Sequence, residues 1–203
     1  MRNFREELAS GILLCDGAMG TMLYQRGIFI NRCFDELNLS APDLVSDVHK
    51  SYVKIGVDII ETNTFGANAF KLLFHGFEGK IKDINYRGAQ IAKAAAGKDT
   101  FVAGSVGPLG VPIEPIGKLA YEEAKDAFKV QAEALLEGGV DLFMLETFSR
   151  LEELEQAILA IRELCDLPII AQMTITDDGN TPLGDTPETI VQKLAHYKVD
   201  VLG

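Results

Sequence analysis

At 203 residues, with 47% hydrophobic and 24% charged residues, the chain has the composition of one globular domain rather than of a disordered or low-complexity segment. Its net charge of −11, without a basic cluster, argues against a nucleic-acid or anionic-membrane surface, and no apolar stretch approaches the roughly 20 residues that span a bilayer. Cys15, Cys33 and Cys165 are odd in number and lack CxxC spacing, which reads as free thiols in a reducing, cytoplasmic setting.

The opening residues 1–7 are polar and lead into a short helix, so they do not read as a secretory signal. The first apolar run, residues 12–15, ends in Asp16-Gly17-Ala18-Met19-Gly20-Thr21. After a long loop over 27–39, Ser40 and Asp43 are placed as a capping box, with Pro42 between them. Leu44, Val48, Tyr52 and Ile55 then recur at helical spacing, and Gly56 closes the helix. The second run, 57–60, meets Glu61-Thr62-Asn63-Thr64-Phe65-Gly66-Ala67-Asn68.

Residues 101–103 form a third run and pass into Gly104-Ser105-Val106-Gly107-Pro108. A helix is predicted over 121–137, with Ala124, Phe128, Ala132 and Leu135 on one face and Gly138-Gly139 as its stop. The fourth run, 140–145, ends in Glu146-Thr147-Phe148. Ser149 and Glu152 then predict a capping box and a helix to about residue 164. The fifth run, 169–173, ends in Thr174, and Thr186-Pro187-Glu188 opens another helix. The sixth run covers 199–202 and meets Gly203. Further long loops fall at 76–84 and 108–119, and no repeat is evident beyond the strand–helix period.

Continuous apolar runs alternating with helices predict a parallel sheet with right-handed crossovers. A dinucleotide-binding open sheet is disfavoured, because Gly17-Ala18-Met19-Gly20 lacks the GxGxxG spacing. Polar tips after successive runs suit a barrel, which gathers such loops at one mouth. The expected fold is therefore α/β: a (β/α)8 TIM barrel, incomplete, with about six of its eight units, forming one domain over residues 1–203.

Four motifs occur in order: 16–21, then Asn31-Arg32-Cys33-Phe34-Asp35-Glu36-Leu37-Asn38, then 61–68, then Leu145-Glu146-Thr147-Phe148. Together they resemble the homocysteine S-methyltransferase family, and in particular the homocysteine-binding modules of cobalamin-dependent methionine synthases and of bacterial fusions with methylenetetrahydrofolate reductase. The resemblance covers residues 12–203. It implies a zinc-dependent barrel that methylates homocysteine to methionine. The substrate's amino and carboxylate groups would be held by Asp16, Gly17, Ala18 and Glu146, with Asn63 and Thr64 lining the floor.

Two carboxylates at strand tips suit an ammonium, and loop amides suit a carboxylate. Ser105, Gly107 and Thr174 are weaker candidates at the same mouth. Glu61 reads as a solvated or salt-bridged acid. In the resembled family, zinc sits on an Asn-Cys step after strand six and a Cys-Cys pair at strand eight. Those positions would lie beyond Gly203, and none of Cys15, Cys33 and Cys165 matches them. The expectation is therefore a C-terminally truncated barrel with no catalytic metal ligand of its own, holding no zinc and inactive alone. His49, His75 and His196 have no HxH or HxxxH partner and read as packing or surface residues.

Methylcobalamin or a folate is the expected methyl source, through downstream folate, cobalamin or reductase modules. No nucleic-acid or membrane partner is expected. Two alternatives stand beside this reading. One is a non-catalytic binding or assembly module that pairs through an exposed strand edge. The other is an unrelated barrel lyase or aldolase, which would need a lysine at a strand tip.

Overall fold

The computed structural model describes residues 2–203. Its sheet contains β1 (Ile59–Glu61), β2 (Phe101–Val106), β3 (Leu142–Phe148), β4 (Ile169–Met173) and β5 (Val201–Leu202), all parallel and in sequence order. Its helices are α1 (Phe4–Ser10), α2 (Met19–Gln25), α3 (Leu37–Ser40) and α4 (Pro42–Lys54) before β1, then α5 (Ala69–Leu73), α6 (Ile81–Ala96), α7 (Tyr121–Glu137), α8 (Leu151–Arg162) and α9 (Pro187–Leu194) between the strands. Sequential parallel neighbours joined through helices give an arc of a (β/α) barrel, as the alternation predicts.

The first apolar run departs from its expected place as a buried strand. It joins the sheet only through a Cys15–Ile59 bridge, and Ile12 is 97% exposed. Its backbone bonds all run to one side: the N–H groups of Asp58 and Ile59 donate to Leu14 O, and Asp16 N–H donates to Ile59 O. Among the described residues, nothing pairs with its other edge.

Side chains alternate across the sheet as strand geometry requires. Ile59, Phe101, Ala103, Leu142, Met144 and Ile170 face the inside of the arc, where Phe4 of α1 plugs the lower end and meets Phe101 edge-on at 5.6 Å. Ile60, Val102, Phe143, Leu145, Ile169 and Ala171 face outward under the helices. The predicted stripe of α7 is buried there, with Ala124, Phe128, Ala132 and Leu135 all in the outer core.

Three strand starts share one device. Asp58, Asp141 and Asp200 each follow a valine, which itself follows a residue of positive φ: Gly56 at 89°, Gly139 at 92° and Lys198 at 51°. The carboxylate of Asp58 accepts from Leu14 N–H, whose own C=O accepts from Asp58 N–H. Asp141 makes the same pair of bonds with Val102, and Asp200 with Ile169. The left-handed residue turns the chain out of the preceding helix, and the aspartate then ties the foot of its strand to the neighbour.

Two predicted caps move. Ser40 ends α3 and donates to Glu36 Oε2, while Ala41 caps α4. Arg150, not Ser149, precedes α8, and no side chain caps it. Thr186 caps α9 as expected, accepting from Thr189 N–H. Ile55 lies beyond the end of α4 and is exposed, while Val45 joins Val48 on the buried face.

Candidate functional site

The mouth of the arc holds a cavity of about 740 Å³ at the C-terminal ends of the strands. Asp16, Gly17, Ala18, Asn63, Thr64, Ser105 and Glu146 all border it, so the sequence-predicted tips converge. Gly107 and Thr174 do not. The ring of Phe65 lies against Gly107, where a β-carbon would collide with it, and Thr174 N–H donates to Phe148 O.

Gly203, the position past which the resemblance puts the zinc cysteines, is also absent from the cavity wall. It is a rung of the β4–β5 ladder: its N–H donates to Ala171 O at 3.0 Å, and its C=O accepts from Met173 N–H at 2.9 Å. It therefore contributes backbone pairing and no group to the cup. The cysteines expected beyond Gly203 lie outside the described residues.

Glu61 corrects the sequence reading. It is partly buried beside Asp16 and Glu146 and forms no salt bridge among the described residues. Removal from water, then the charge of Glu146 and a hydrogen bond with it, push the Glu61 carboxyl above the usual carboxylate range. Asp16 is pushed up to about 7, chiefly by desolvation, against a lowering contribution from Glu61 N–H donating to its Oδ2 at 3.1 Å. Three carboxyl groups therefore crowd one polar corner of the cup.

A distortion helps to set Glu146 in place. Thr147 has φ 62°, a left-handed conformation that a β-branched residue rarely adopts, and the pairing of β3 with β4 shifts register between Leu145 and Phe148. Glu146 occupies this bulge. Ser105 Oγ donates to its Oε1 at 2.5 Å.

Asn63 and Thr64 build the floor rather than presenting polar groups freely. Asn63 donates to Phe34 O at 2.7 Å and to Asn38 Oδ1 at 3.2 Å, which uses both amide hydrogens. Thr64 is fully buried and donates to Ser105 O at 2.8 Å. Its only hydroxyl hydrogen is thus committed, so Thr62 must be the donor in the 2.5 Å Thr62–Thr64 contact. Ser105 N–H closes this ring by donating to Thr62 Oγ1.

The loop before α3 supplies a further wall, which the strand tips alone do not predict. Asp35 Oδ1 accepts from Gly66 N–H at 2.9 Å, and Phe34 packs on Gly20. Lys71 lies 4.3 Å over the Phe65 ring and is shifted downward by desolvation, against the charge of Asp35. The signal for this wall was the 31–38 motif itself, which sets Asp35 and Asn38 beside Phe34 and Leu37 in a stretch that follows no strand tip directly. His75 borders the cup and is exposed; His49 is fully buried, and neither of its ring nitrogens has a partner.

Cys33 borders the cavity, its thiol 3.8 Å from Asp35 Oδ2, and burial pushes it up to about 11. Cys15 is likewise pushed up to about 11 by burial, and both thiols are protonated at neutral pH. Among the described residues no three His, Cys, Asp or Glu side chains gather as a metal set. No described helix is long and apolar enough to cross a membrane.

The family model of the homocysteine S-methyltransferases matches residues 13–203. The methionine synthase of Mycobacterium leprae is 31% identical over 215 residues, an alignment covering 98% of this chain and 18% of that protein. That of Mycobacterium tuberculosis is 29% identical, with 97% and 18% coverage. The metallated form of the homocysteine methyltransferase MmuM from Escherichia coli superposes with a TM-score of 0.85 at 25% identity, covering 98% of this chain and 76% of that one. A putative deoxyribose-phosphate aldolase from Toxoplasma gondii, at 16% identity and a TM-score of 0.52, shares the fold alone. The chain thus spans less than a fifth of the length of the curated relatives it matches.

Proposed function

Since the chain belongs to the homocysteine S-methyltransferase family, we propose that its cup binds homocysteine and presents the sulfur for methylation. The observation carrying this reading is the meeting of Asp16 and Glu146 at one cavity, next to a loop whose Gly17 and Ala18 N–H groups have no protein acceptor among the described residues. The carboxylates suit the ammonium of an amino acid, and the amides suit its carboxylate. With both ends of the α-carbon fixed, the side chain has one direction left, and the thiol is placed by positioning alone.

Each element of the cup then has a task. Ser105 holds Glu146 through a short hydrogen bond, and the Thr62–Thr64 ring holds Ser105. Phe34 and Phe65 give the sulfur arm an apolar wall and restrict water.

The resemblance also implies zinc. The two thiols nearest the cup are held protonated, and no donor set assembles with them, so Cys15, Cys33 and Cys165 do not fit that metal. The methyl source in this reading is methylcobalamin or a folate carried by other modules; the relatives named methionine synthase support that assignment over an unrelated transferase.

Calorimetric titration of the purified protein with L-homocysteine tests the reading. Asp16→Asn and Glu146→Gln are each expected to weaken binding by about 1.5–3 kcal/mol, the usual worth of a hydrogen bond to a charged group. Undiminished affinity in both variants overturns it.

A further inference from the structure

The role of Glu61 is not contained in the binding scheme above. Its backbone N–H donates to Asp16 Oδ2 at 3.1 Å, which sets its carboxyl at the corner where Glu146 also lies. Both side chains border the same cavity, where the charge of Glu146 and hydrogen bonding with it raise the Glu61 carboxyl, and two carboxyls can share such a bond only if one carries a proton. Glu146 Oε1 already accepts from Ser105 Oγ at 2.5 Å, so a proton held between the two glutamates sits on Glu61 or on Glu146 Oε2.

We propose that Glu61 and Glu146 share one proton in the ligand-free protein, and that an amino acid's ammonium entering this corner displaces that proton to solvent. The inference rests on the amino-acid-binding reading above. In the step, the O–H bond of the shared proton breaks, its electron pair stays on the carboxylate, the proton goes to buffer, and ammonium N–H groups take over the hydrogen bonds to both glutamates. Charge balances, because one cation replaces another between the same two groups.

The surroundings favour this exchange. Asp16 and Cys15 from the leading segment, and Glu146 from β3, bear on Glu61. Lys71 from α5 bears on Glu146, and Tyr52 of α4 lies near Asp16. Arg32, Cys33, Asp35 and His75 border the same cavity. Arg32, Lys71 and His75 form no salt bridge with Glu61, Glu146 or Asp16 among the described residues; Arg32 pairs with Glu36, and the Lys71 charge reaches Glu146 without an ion pair. Burial and the neighbouring acids raise Glu61, which keeps its proton until a cation arrives.

The test is calorimetric titration with L-methionine, which has no thiol proton to confuse the count, at pH 8. Asp16, pushed up to about 7, is already ionised there. Repeating the titration in phosphate and in Tris converts the enthalpy difference into protons released, expected at about one per methionine bound. The affinity should also rise by up to about tenfold per pH unit between pH 7.5 and 8.5. The amine-free analogue 4-(methylthio)butanoate should release none, and Glu61→Gln should remove the release with methionine. A purely structural role for Glu61 would change thermal unfolding but not the proton count. Methionine binding with buffer-independent enthalpy and pH-independent affinity overturns this inference and leaves the binding reading standing. Failure of both methionine and homocysteine to bind overturns the two together.

Discussion

Gly88 fixes the depth at which the floor of the cup sits. A β-carbon there would lie 2.5 Å from Asn38 Nδ2 and 2.7 Å from Thr64 Cγ2, so α6 can approach the tip of β1 only because this residue has no side chain. Asn38 uses the space to donate to Asn63 O at 2.8 Å, and Asn63 in turn holds the Phe34 carbonyl. Gly88→Ala should gain up to about 1 kcal/mol of helix propensity yet lose about 1–3 kcal/mol to overpacking, a net destabilisation read from urea unfolding. Binding of homocysteine should weaken with it, because Thr64 and Asn63 shift. At this scale the sequence was informative where chemistry and position coincide. Asp16 and Glu146 stand at the ends of apolar runs and are acids, so both properties could be read directly. Glu61 stands at such an end too, but its misreading has a physical cause: one chain position cannot reveal that two other carboxyls surround it. Asn63 and Thr64 were placed at the right depth, and their hydrogen-bond partners turned them into supports.

The elements divide according to how far their making is local. Thr186 and Pro187 start α9 as written, because a cap and a fixed φ act within one turn. Ser40 and Ser149 had the same local credentials, yet Ser40 is drawn into α3 by Glu36, and the chain enters α8 through Arg150. The first run has a strand's composition, and its burial depends on a second neighbour, which local pattern cannot supply. The same three residues, Gly-Val-Asp, stand at 56–58 and 139–141, and their shared task is visible only in the bonds to Leu14 and Val102. The strained end of β3 is of the same kind. Thr147→Gly should relieve the left-handed Thr, raising stability by up to about 1 kcal/mol after the entropy of glycine is set against it. It should weaken homocysteine binding at the same time, because the bulge that aims Glu146 loosens. Thermal unfolding and calorimetric titration on one preparation measure both.

For the molecule as a whole, pH acts in opposed directions through buried His49 and through buried carboxyls, Asp16 and Glu61 among them. His49 is lowered to about 4 by burial, so between about 6.5 and 4 the unfolded chain binds the extra proton and stability falls as pH falls, by about 3 kcal/mol in total. Asp16 and Glu61 are raised, so the folded chain holds their protons more tightly. Their stabilisation is complete below the ordinary carboxylate range, and it is lost as pH rises through about 7 for Asp16 and further upward for Glu61. The two trends oppose each other in mild acid, and above pH 7 only the loss remains. Urea midpoints measured from pH 7 to 9 should therefore decline, and Glu61→Gln should flatten that decline; an equally steep fall in the variant would contradict the assignment.

The aspartate ties at the lower rim let the two ends of the arc answer to different demands. A slip of one residue between neighbouring strands would turn every inward side chain outward, and Asp58, Asp141 and Asp200 oppose that slip from the end remote from the carboxyl corner. Substitutions among the tip loops can thus retune what is gripped while the staves stay aligned, so diversification of ligand choice and preservation of architecture need not compete for the same positions.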